Sequence, residues 1–199
     1  MLHSYILSSP VQEHGRLHRY RDIMATSELF FGPFKVTTQV FYKTRLSMAI
    51  VNIKPILPGH VLVCPQRVVA RIKDMTSEEV VDHALAVQKV SKVIERVYGT
   101  TGATIALQDG GSAGQSVPHV HTHIIPRKLD DFPSIDDVYA KLEGSEGNVG
   151  EFMEMQRQRK IVEGQKKEMI VESLMRPPRS MEDMEAETRM LAAEMEKGE

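Results

Sequence analysis

Three histidines alternate with other residues in a segment that ends in an apolar run. His119, His121 and His123 are separated by Val and Thr, and Ile124 and Ile125 follow directly. Because successive side chains of a strand point to opposite faces, this spacing predicts a strand with three imidazoles on one face. The Ile-Ile run favours a buried strand over a solvated one. Such a face can supply a nucleophile, a proton donor or metal ligands near neutral pH.

The composition limits the partners and the setting of this site. The 199 residues carry a formal net charge of -2, so no basic surface for long nucleic acid is expected. Cys64 is the single cysteine, which excludes an internal disulfide and a multi-cysteine zinc cluster and suits a reducing compartment. No apolar run approaches the roughly 20 residues that span a bilayer. We expect no membrane association and a cytoplasmic protein, with nucleus and mitochondrion left open.

The chain divides by composition into four parts. Residues 1–27 form an extension that we expect to be disordered; its acid-poor start weakly resembles a mitochondrial presequence, and Met24 is an alternative start. Residues 28–145 carry the patterns of one domain. Residues 146–178 are a charged, partly helical linker, and residues 179–199 predict a C-terminal helix with an apolar stripe for docking.

Short apolar runs separated by turn residues predict an antiparallel meander around one long helix. The runs cover residues 34–36, 40–42, 47–52, 60–65, 103–109 and 119–127. Thr76 and Glu79 have the spacing of a capping box, and Gly99 marks the end of the helix. Its expected core stripe is Val80, Ala84, Val87, Val90, Ile94 and Val97. A shorter helix is predicted with Ser134 and Asp137 as its caps.

A glycine-rich loop joins the last two predicted strands. Residues 110–114 contain three glycines, and Gln108 and Gln115 stand on either side. In a hairpin, both glutamines would lie near the mouth of the histidine face. Glycines let backbone N–H groups approach an anion closely, so this loop beside the histidines favours a phosphate-binding site.

These motifs, in this order, resemble those of the histidine triad family, which has the pattern His-φ-His-φ-His-φ-φ with φ usually apolar; Thr122 is a mild departure. Within the family the chain is similar to the fragile histidine triad branch, the diadenosine polyphosphate hydrolases. The supporting segments are residues 51–55, 58–63, 108–110, 113–117 and 126–127. The similarity runs from about Phe30 to Leu142, and Arg179 to Leu191 resembles the branch's C-terminal helix.

The resemblance implies an α+β domain of the HIT-like fold, with a five-stranded antiparallel sheet and two helices, that dimerises into a continuous sheet. It implies a hydrolase of the bis(5'-adenosyl)-triphosphatase type. Dinucleoside polyphosphates such as diadenosine tri- or tetraphosphate would yield a nucleoside monophosphate and a nucleoside di- or triphosphate. No tightly bound cofactor or metal ligand is expected, and Mg²⁺ or Mn²⁺ would accompany the substrate. The expected partners are the substrate and a second copy of the chain.

The resemblance also implies roles for individual residues. His121 would attack the α-phosphorus to form a nucleotidyl-histidine, with a backbone carbonyl fixing its other ring nitrogen. His119 and His123 would donate hydrogen bonds to phosphate oxygens, with His123 near the leaving oxygen. Gln108 and His60 complete the catalytic set, His60 by supporting the imidazoles. The substrate-binding set is Asn52 for the ribose, Phe31 and Leu62 for the base, and Gln108, Gly114, Gln115, Ser116, Val117 and His123 for the phosphates.

Three other interpretations stay open. Alternating histidines can bind zinc, although the neighbouring loop offers glutamines rather than carboxylates. A nucleotide-binding signalling module with slow turnover would use the same residues as the hydrolase. A nucleoside phosphoramidase, the activity of a sister branch, is disfavoured by residues 108–110 and 126–127.

Overall fold

The strands and helices follow the predicted meander closely. A computed structural model describes residues 28–144, 147–151, 153, 154, 157 and 179–197. The strands are β1 (Phe30–Phe31), β2 (Phe34–Lys35), β3 (Val40–Lys43), β4 (Ser47–Val51), β5 (Val61–Pro65), β6 (Gly102–Leu107) and β7 (Thr122–Arg127). The helices with both ends described are α1 (Ser77–Tyr98), α2 (Asp137–Glu143) and α3 (Met181–Glu196), and residues 149–151, 153, 154 and 157 are also helical. The predicted extension 1–27 and most of the predicted linker 146–178 lie outside the described residues.

Strands β3 to β7 form one antiparallel sheet in the order β3-β4-β5-β7-β6, and β1 and β2 form a separate hairpin. The predicted α+β class and five-stranded sheet are confirmed. The predicted hairpin across the glycine-rich loop is also confirmed, because β6 pairs with β7 with Ala106 opposite His123. Strand β7 therefore lies between β5 and β6, in the interior of the sheet, where both of its edges are paired.

The predicted histidine strand is too long at its start. Strand β7 begins at Thr122, so His123 lies in the strand while His119 and His121 precede it. Backbone hydrogen bonds hold the preceding segment instead, with His119 N donating to Val117 O (2.7 Å) and Val120 N to Val69 O (2.7 Å). Because these bonds do not belong to the sheet ladder, the residues before Thr122 are not part of the strand.

Helix α1 has the predicted ends, and its predicted buried stripe is confirmed at Val90 and Ile94, while Val87 and Val97 are partly buried against the core. Thr76 and Glu79 form the capping box, and Gly99 ends the helix in the left-handed conformation at φ 60°. Val80 and Ala84 were expected in the core but are exposed. Besides Val90 and Ile94, the buried residues of the helix are Glu79, His83, Ala86, Ser91 and Val93. Two polar side chains lie on this buried face because they have partners outside the helix: the Glu79 carboxylate binds Arg67, and His83 Nε2 lies 2.7 Å from Thr122 Oγ1.

Helix α2 begins at Asp137, with Asp136 at its N-cap, rather than under the predicted cap of Ser134. Ser134 precedes the helix, where its N–H donates to the Asp137 carboxylate (3.1 Å).

Helix α3 has the predicted Ser180 cap, whose hydroxyl accepts from Asp183 N (3.1 Å). Its buried side chains are Met184, Thr188, Leu191 and Met195. They pack α3 against β3 and α1. Within the described ranges, no helix combines the length and apolar character that crossing a bilayer requires.

Candidate active site

The side chain of His121 is oriented by the backbone of its own motif. Its Nδ1 lies 2.7 Å from the carbonyl oxygen of His119. A carbonyl oxygen only accepts, so Nδ1 carries the hydrogen and Nε2 keeps its lone pair. This is the tautomer that a nucleophilic imidazole needs. The predicted carbonyl partner of His121 is therefore present.

A relay of two imidazoles fixes the tautomer of His123. The amide of Ile56 donates to His60 Nδ1 (3.1 Å), so the ring hydrogen of His60 resides on Nε2. His60 Nε2 then donates to His123 Nδ1 over 2.9 Å. The hydrogen of His123 consequently resides on Nε2, which has no hydrogen-bond partner among the described residues. His123 thus presents a buried N–H donor, and its ring centroid lies 5.0 Å from that of His121.

His119 does not fill its predicted role as a phosphate donor. Gly32 N donates to its Nδ1 (3.0 Å), and its Nε2 lies 2.9 Å from the carbonyl oxygen of Pro65. Both ring nitrogens are therefore engaged by backbone groups, and the side chain is 0% exposed. His119 ties the histidine segment to the β1–β2 turn and to the end of β5, while its own carbonyl orients His121.

The β1–β2 hairpin covers the imidazoles. The Phe31 ring stacks on His119 with centroids 5.5 Å apart and meets His121 edge-on at 5.1 Å. Gly32 turns the chain at φ 56°, and a Cβ there would lie 2.6 Å from Val117 Cγ1. Only a glycine fits this close approach of the hairpin to the segment that precedes the histidines.

The other predicted nucleoside contacts surround the relay. Leu62 lies opposite His123 in the β5–β7 ladder and is 1% exposed. Asn52 Oδ1 accepts from Lys54 N (3.0 Å), and Asn52 Nδ2 lies 3.3 Å from His60 Nε2; because both nitrogens carry hydrogen, this contact is not a hydrogen bond. Both side chains thus adjoin the imidazoles. Their contacts with a base and a ribose, like that of Phe31 with a base, stay predictions.

The glycine-rich loop is anchored to the segment before α1. Gln115 Oε1 accepts from Gly110 N (2.8 Å), and its Nε2 donates to Ala70 O (2.9 Å). Asp109 binds the Arg71 guanidinium (3.0 Å) and the Ile72 amide (2.9 Å). The Gln115 side chain therefore holds the loop in place, and its contact with phosphate stays a prediction.

Gln108 lies directly against Gly114. A Cβ on Gly114, which has φ 87°, would lie 2.5 Å from Gln108 Nε2. Ser116 Oγ accepts from Gly150 N (3.3 Å), and Val117 is buried. The structure therefore brings Gln108 and residues 114–117 together beside the histidines, as the hairpin predicts.

Burial keeps the site's imidazoles neutral. It lowers the pKa of His60 to about 3, with His121 adding to the effect, and lowers the pKa of His119 to about 4. Burial also lowers the pKa of His121 and lowers that of His123 well below the ordinary value. A neutral imidazole has one N–H and one lone pair, so the hydrogen-bond assignments above are consistent with these charges.

Comparisons with known proteins agree with this geometry. The HIT domain family matches residues 34–130. The bis(5'-nucleosyl)-tetraphosphatase [asymmetrical] of Schizosaccharomyces pombe is 47% identical over 168 residues, which cover 82% of this chain and 92% of that protein. The chain belongs to the HIT family.

Two further comparisons place this HIT protein in the fragile histidine triad branch. The bifunctional bis(5'-adenosyl)-triphosphatase/adenylylsulfatase FHIT of Arabidopsis thaliana is 45% identical over 134 residues, covering 67% of this chain and 74% of that protein. The crystal structure of Plasmodium falciparum diadenosine triphosphate hydrolase in complex with cyclomarin A superposes with a TM-score of 0.62. It is 26% identical and covers 87% of each chain.

The sequence interpretation missed a buried pair behind the histidine segment of this HIT protein. Thr122 Oγ1 lies 2.7 Å from Nε2 of His83, on the buried face of α1. Burial lowers the pKa of His83 to about 4. A signal was present in the sequence, because Thr122 is polar where the family pattern is usually apolar, and a buried hydroxyl needs a polar partner.

A double-mutant cycle tests this pair in the HIT domain. Thr122→Val and His83→Leu should each lower the free energy of unfolding by about 1–3 kcal/mol, because each leaves a buried polar group unpaired. The double variant should lose less than the sum, with a coupling of about 1 kcal/mol or more. Urea denaturation at pH 7.5 measures all four proteins. Additive losses would show that the two side chains do not depend on each other.

Proposed function

We propose that the chain hydrolyses dinucleoside polyphosphates to a nucleoside monophosphate and a nucleoside di- or triphosphate. The names of its relatives, a bis(5'-nucleosyl)-tetraphosphatase and a bis(5'-adenosyl)-triphosphatase, give those proteins this class of substrate. One observation carries the proposal: His121 keeps a lone pair on Nε2 because its Nδ1 donates to the His119 carbonyl. His123 presents its Nε2–H beside that ring. A nucleophile and a hydrogen-bond donor on adjacent imidazoles are what displacement of a phosphate leaving group requires.

In the first step, the lone pair of His121 Nε2 attacks the α-phosphorus. An N–P bond forms and the P–O bond to the leaving nucleotide breaks, so that its electron pair stays on the leaving oxygen. His123 Nε2–H donates to that oxygen, an effect worth about 3 kcal/mol for a preorganised donor. His121 becomes cationic while its Nδ1–H continues to donate to the His119 carbonyl, which stabilises the charge.

In the second step, water attacks the same phosphorus. The new P–O bond displaces His121 Nε2, the N–P bond breaks, and the imidazole returns to its neutral form as the water proton passes to solvent. The nucleoside monophosphate leaves. Two displacements replace one difficult reaction, which is the benefit of covalent catalysis.

The glycine-rich loop would hold the polyphosphate. We assign the amides of residues 114–117 and the Gln108 side chain to the phosphate oxygens, with Gln115 holding the loop through Gly110 and Ala70. Mg²⁺ or Mn²⁺ would arrive with the substrate and neutralise part of its charge. The cytoplasm stays the predicted compartment.

A homodimer with a continuous sheet would form along β6. Strand β6 ends the sheet order, and the opposite edge strand β3 contacts α3. Ile105 on β6 is 51% exposed. Its side chain lies on the same side of the sheet as α1, because its partner in β7, Ile124, is two residues from Thr122, which contacts His83 of α1. Val81 and Leu85 on α1 are also exposed. An exposed apolar patch beside a strand edge that pairs with no other described strand favours a second copy as its partner.

A zinc site has less support than the hydrolase. Hydrogen bonds to Gly32 and Pro65 occupy both ring nitrogens of His119. Within the described ranges, no three His, Cys, Asp or Glu side chains are grouped so that they could hold a metal ion. A signalling module and a phosphoramidase remain alternatives that an assay separates from the proposed activity.

Substrate profiling tests the proposed function. The kcat/KM for diadenosine tri- or tetraphosphate should exceed that for adenosine phosphoramidate by about 100-fold or more, because a site built for a polyphosphate loses contacts to the shorter substrate. Product analysis by anion-exchange chromatography should give AMP with ADP or ATP. A preference for the phosphoramidate would show that the chain is a nucleoside phosphoramidase. Binding without turnover would favour the signalling module.

Treatment with a chelator is the control for a tightly bound metal ion. Protein treated with a chelator, freed of it and then assayed with Mg²⁺ should keep its full kcat. A loss that only Zn²⁺ restores would support the zinc alternative.

A further inference from the structure

The loop between β4 and β5 carries the relay histidine at its end. His60 follows Gly59, and the loop begins at Asn52, whose amide adjoins the His60 ring. The orientation of His60 sets the tautomer of His123, because His60 Nε2 donates to His123 Nδ1. Contacts that fix the position of this loop therefore also fix the Nε2–H of His123, which would donate to the leaving oxygen.

Helix α3 holds the start of this loop. Arg179, just before the helix, donates its backbone N–H to the carbonyl of Ile53 (3.0 Å). The Arg179 guanidinium in turn binds the Glu187 carboxylate and the Asp183 carbonyl (3.1 Å). The side chains of Arg179 and Glu187 are 22% and 12% exposed, so this ion pair is more shielded from solvent than an ordinary surface pair.

The same carboxylate also holds the end of the loop. The Tyr98 hydroxyl at the end of α1 donates to Glu187. The Tyr98 ring lies against Gly59, where a Cβ would be 2.6 Å from two ring carbons. Gly59 has φ 84°, which favours glycine, and the next residue is His60. Glu187 thus links two contacts that grip the loop at Ile53 and at Gly59.

We propose that Arg179, Glu187 and Tyr98 form a clamp that positions His60, and through it the N–H donor of His123, for departure of the leaving group. These three are positioning residues, since they act through the loop and not on the substrate. The proposal rests on the proposed hydrolase function. The C-terminal helix then positions the catalytic histidines, although it lies outside the matched family region 34–130.

Glu187→Ala tests the clamp. With diadenosine triphosphate, kcat should fall about tenfold with KM changed by less than about threefold, because loss of orientation affects the transition state more than binding. Tyr98→Phe keeps the ring against Gly59 and removes the bond to Glu187, so we expect a smaller loss in the same direction. Glu187→Gln keeps an acceptor for both partners and should recover most of the activity.

Glu194→Ala is the matched control. Glu194 is on the same helix, and its contacts with Arg96 join α3 to α1 away from the loop. This variant should retain wild-type kcat within about twofold, because the clamp is intact. Thermal unfolding of all variants verifies that α3 stays docked.

The leaving group supplies a readout that a purely structural role would not change. The phenyl ester of AMP has a poor leaving group that depends on a hydrogen-bond donor, whereas the dinitrophenyl ester departs readily without one. Glu187→Ala should slow the phenyl ester about tenfold more than the dinitrophenyl ester. Equal slowing of both esters, or equal effects of the Glu187 and Glu194 variants, would overturn the clamp. A wild-type protein inactive on dinucleoside polyphosphates would instead overturn the proposed function.

Discussion

His121→Asn is expected to lower kcat for diadenosine triphosphate by about 10⁴-fold or more, since removing a covalent nucleophile removes the pathway itself. Asn keeps a side-chain group able to donate to the His119 carbonyl, which now accepts from His121 Nδ1 (2.7 Å). Its amide nitrogen cannot attack phosphorus, because the lone pair of that nitrogen is delocalised into the carbonyl group. The fold and the binding of nucleotide should therefore persist while turnover stops.

Two measurements check this result. Calorimetry with a slowly hydrolysed substrate analogue should give similar affinities for the variant and the wild type. Wild-type protein quenched during turnover of labelled substrate should carry an acid-labile adduct on the peptide that contains residues 119–127, and the variant should carry none. Wild-type kcat in the variant, or an adduct on another residue, would refute attack by His121.

Acid should unfold this protein in a window set by its buried imidazoles. Burial lowers the folded-state pKa of His60 to about 3 and the pKa values of His83 and His119 to about 4. Each group would titrate near 6.5 in the unfolded chain. Between these values the unfolded chain binds more protons than the folded one. The stability contribution is therefore complete above pH 6.5 and is lost as the pH falls toward 4.

The expected loss is large. A single group with a folded pKa of about 4 lowers the free energy of unfolding by about 3 kcal/mol at pH 4 relative to pH 7. Several such groups together approach the whole stability of a domain, about 5–15 kcal/mol. Urea midpoints measured from pH 7.5 to 4.5 should fall steadily below pH 6.5. A constant midpoint down to pH 5 would contradict the neutral, buried state of these histidines.

The double variant Thr122→Val with His83→Leu provides the control for acid unfolding. It removes one of the titrating imidazoles together with its partner, so its stability should depend less steeply on pH.

Glu79 titrates in a separate, lower pH range. Arg67 holds the pKa of Glu79 at about 2, and the stability that this carboxylate contributes is lost only below about pH 4.5.

The strongest sequence predictions concerned local patterns. The capping box of Thr76 and Glu79, the stop at Gly99 and the Ser180 cap are confirmed because each needs only neighbouring residues. The pairing of β6 with β7 is confirmed because a short loop forces adjacent strands together. The predicted stripe of α1 is confirmed at Val90 and Ile94 but was wrong at Val80 and Ala84, since hydrophobicity alone could not reveal that the buried residues Glu79 and His83 have polar partners on other elements.

By itself, the sequence determined the chemical inventory of this protein: an alternating histidine motif, a glycine-rich loop after Gln108, and a family whose fold carries both. The tertiary structure decided what each imidazole does. His119 became a backbone anchor and His123 an N–H donor, because Gly32, Pro65 and Ile56, all distant in sequence from the motif, supply the hydrogen bonds that set their tautomers. Proton positions depend on such partners, which no spacing within the motif encodes.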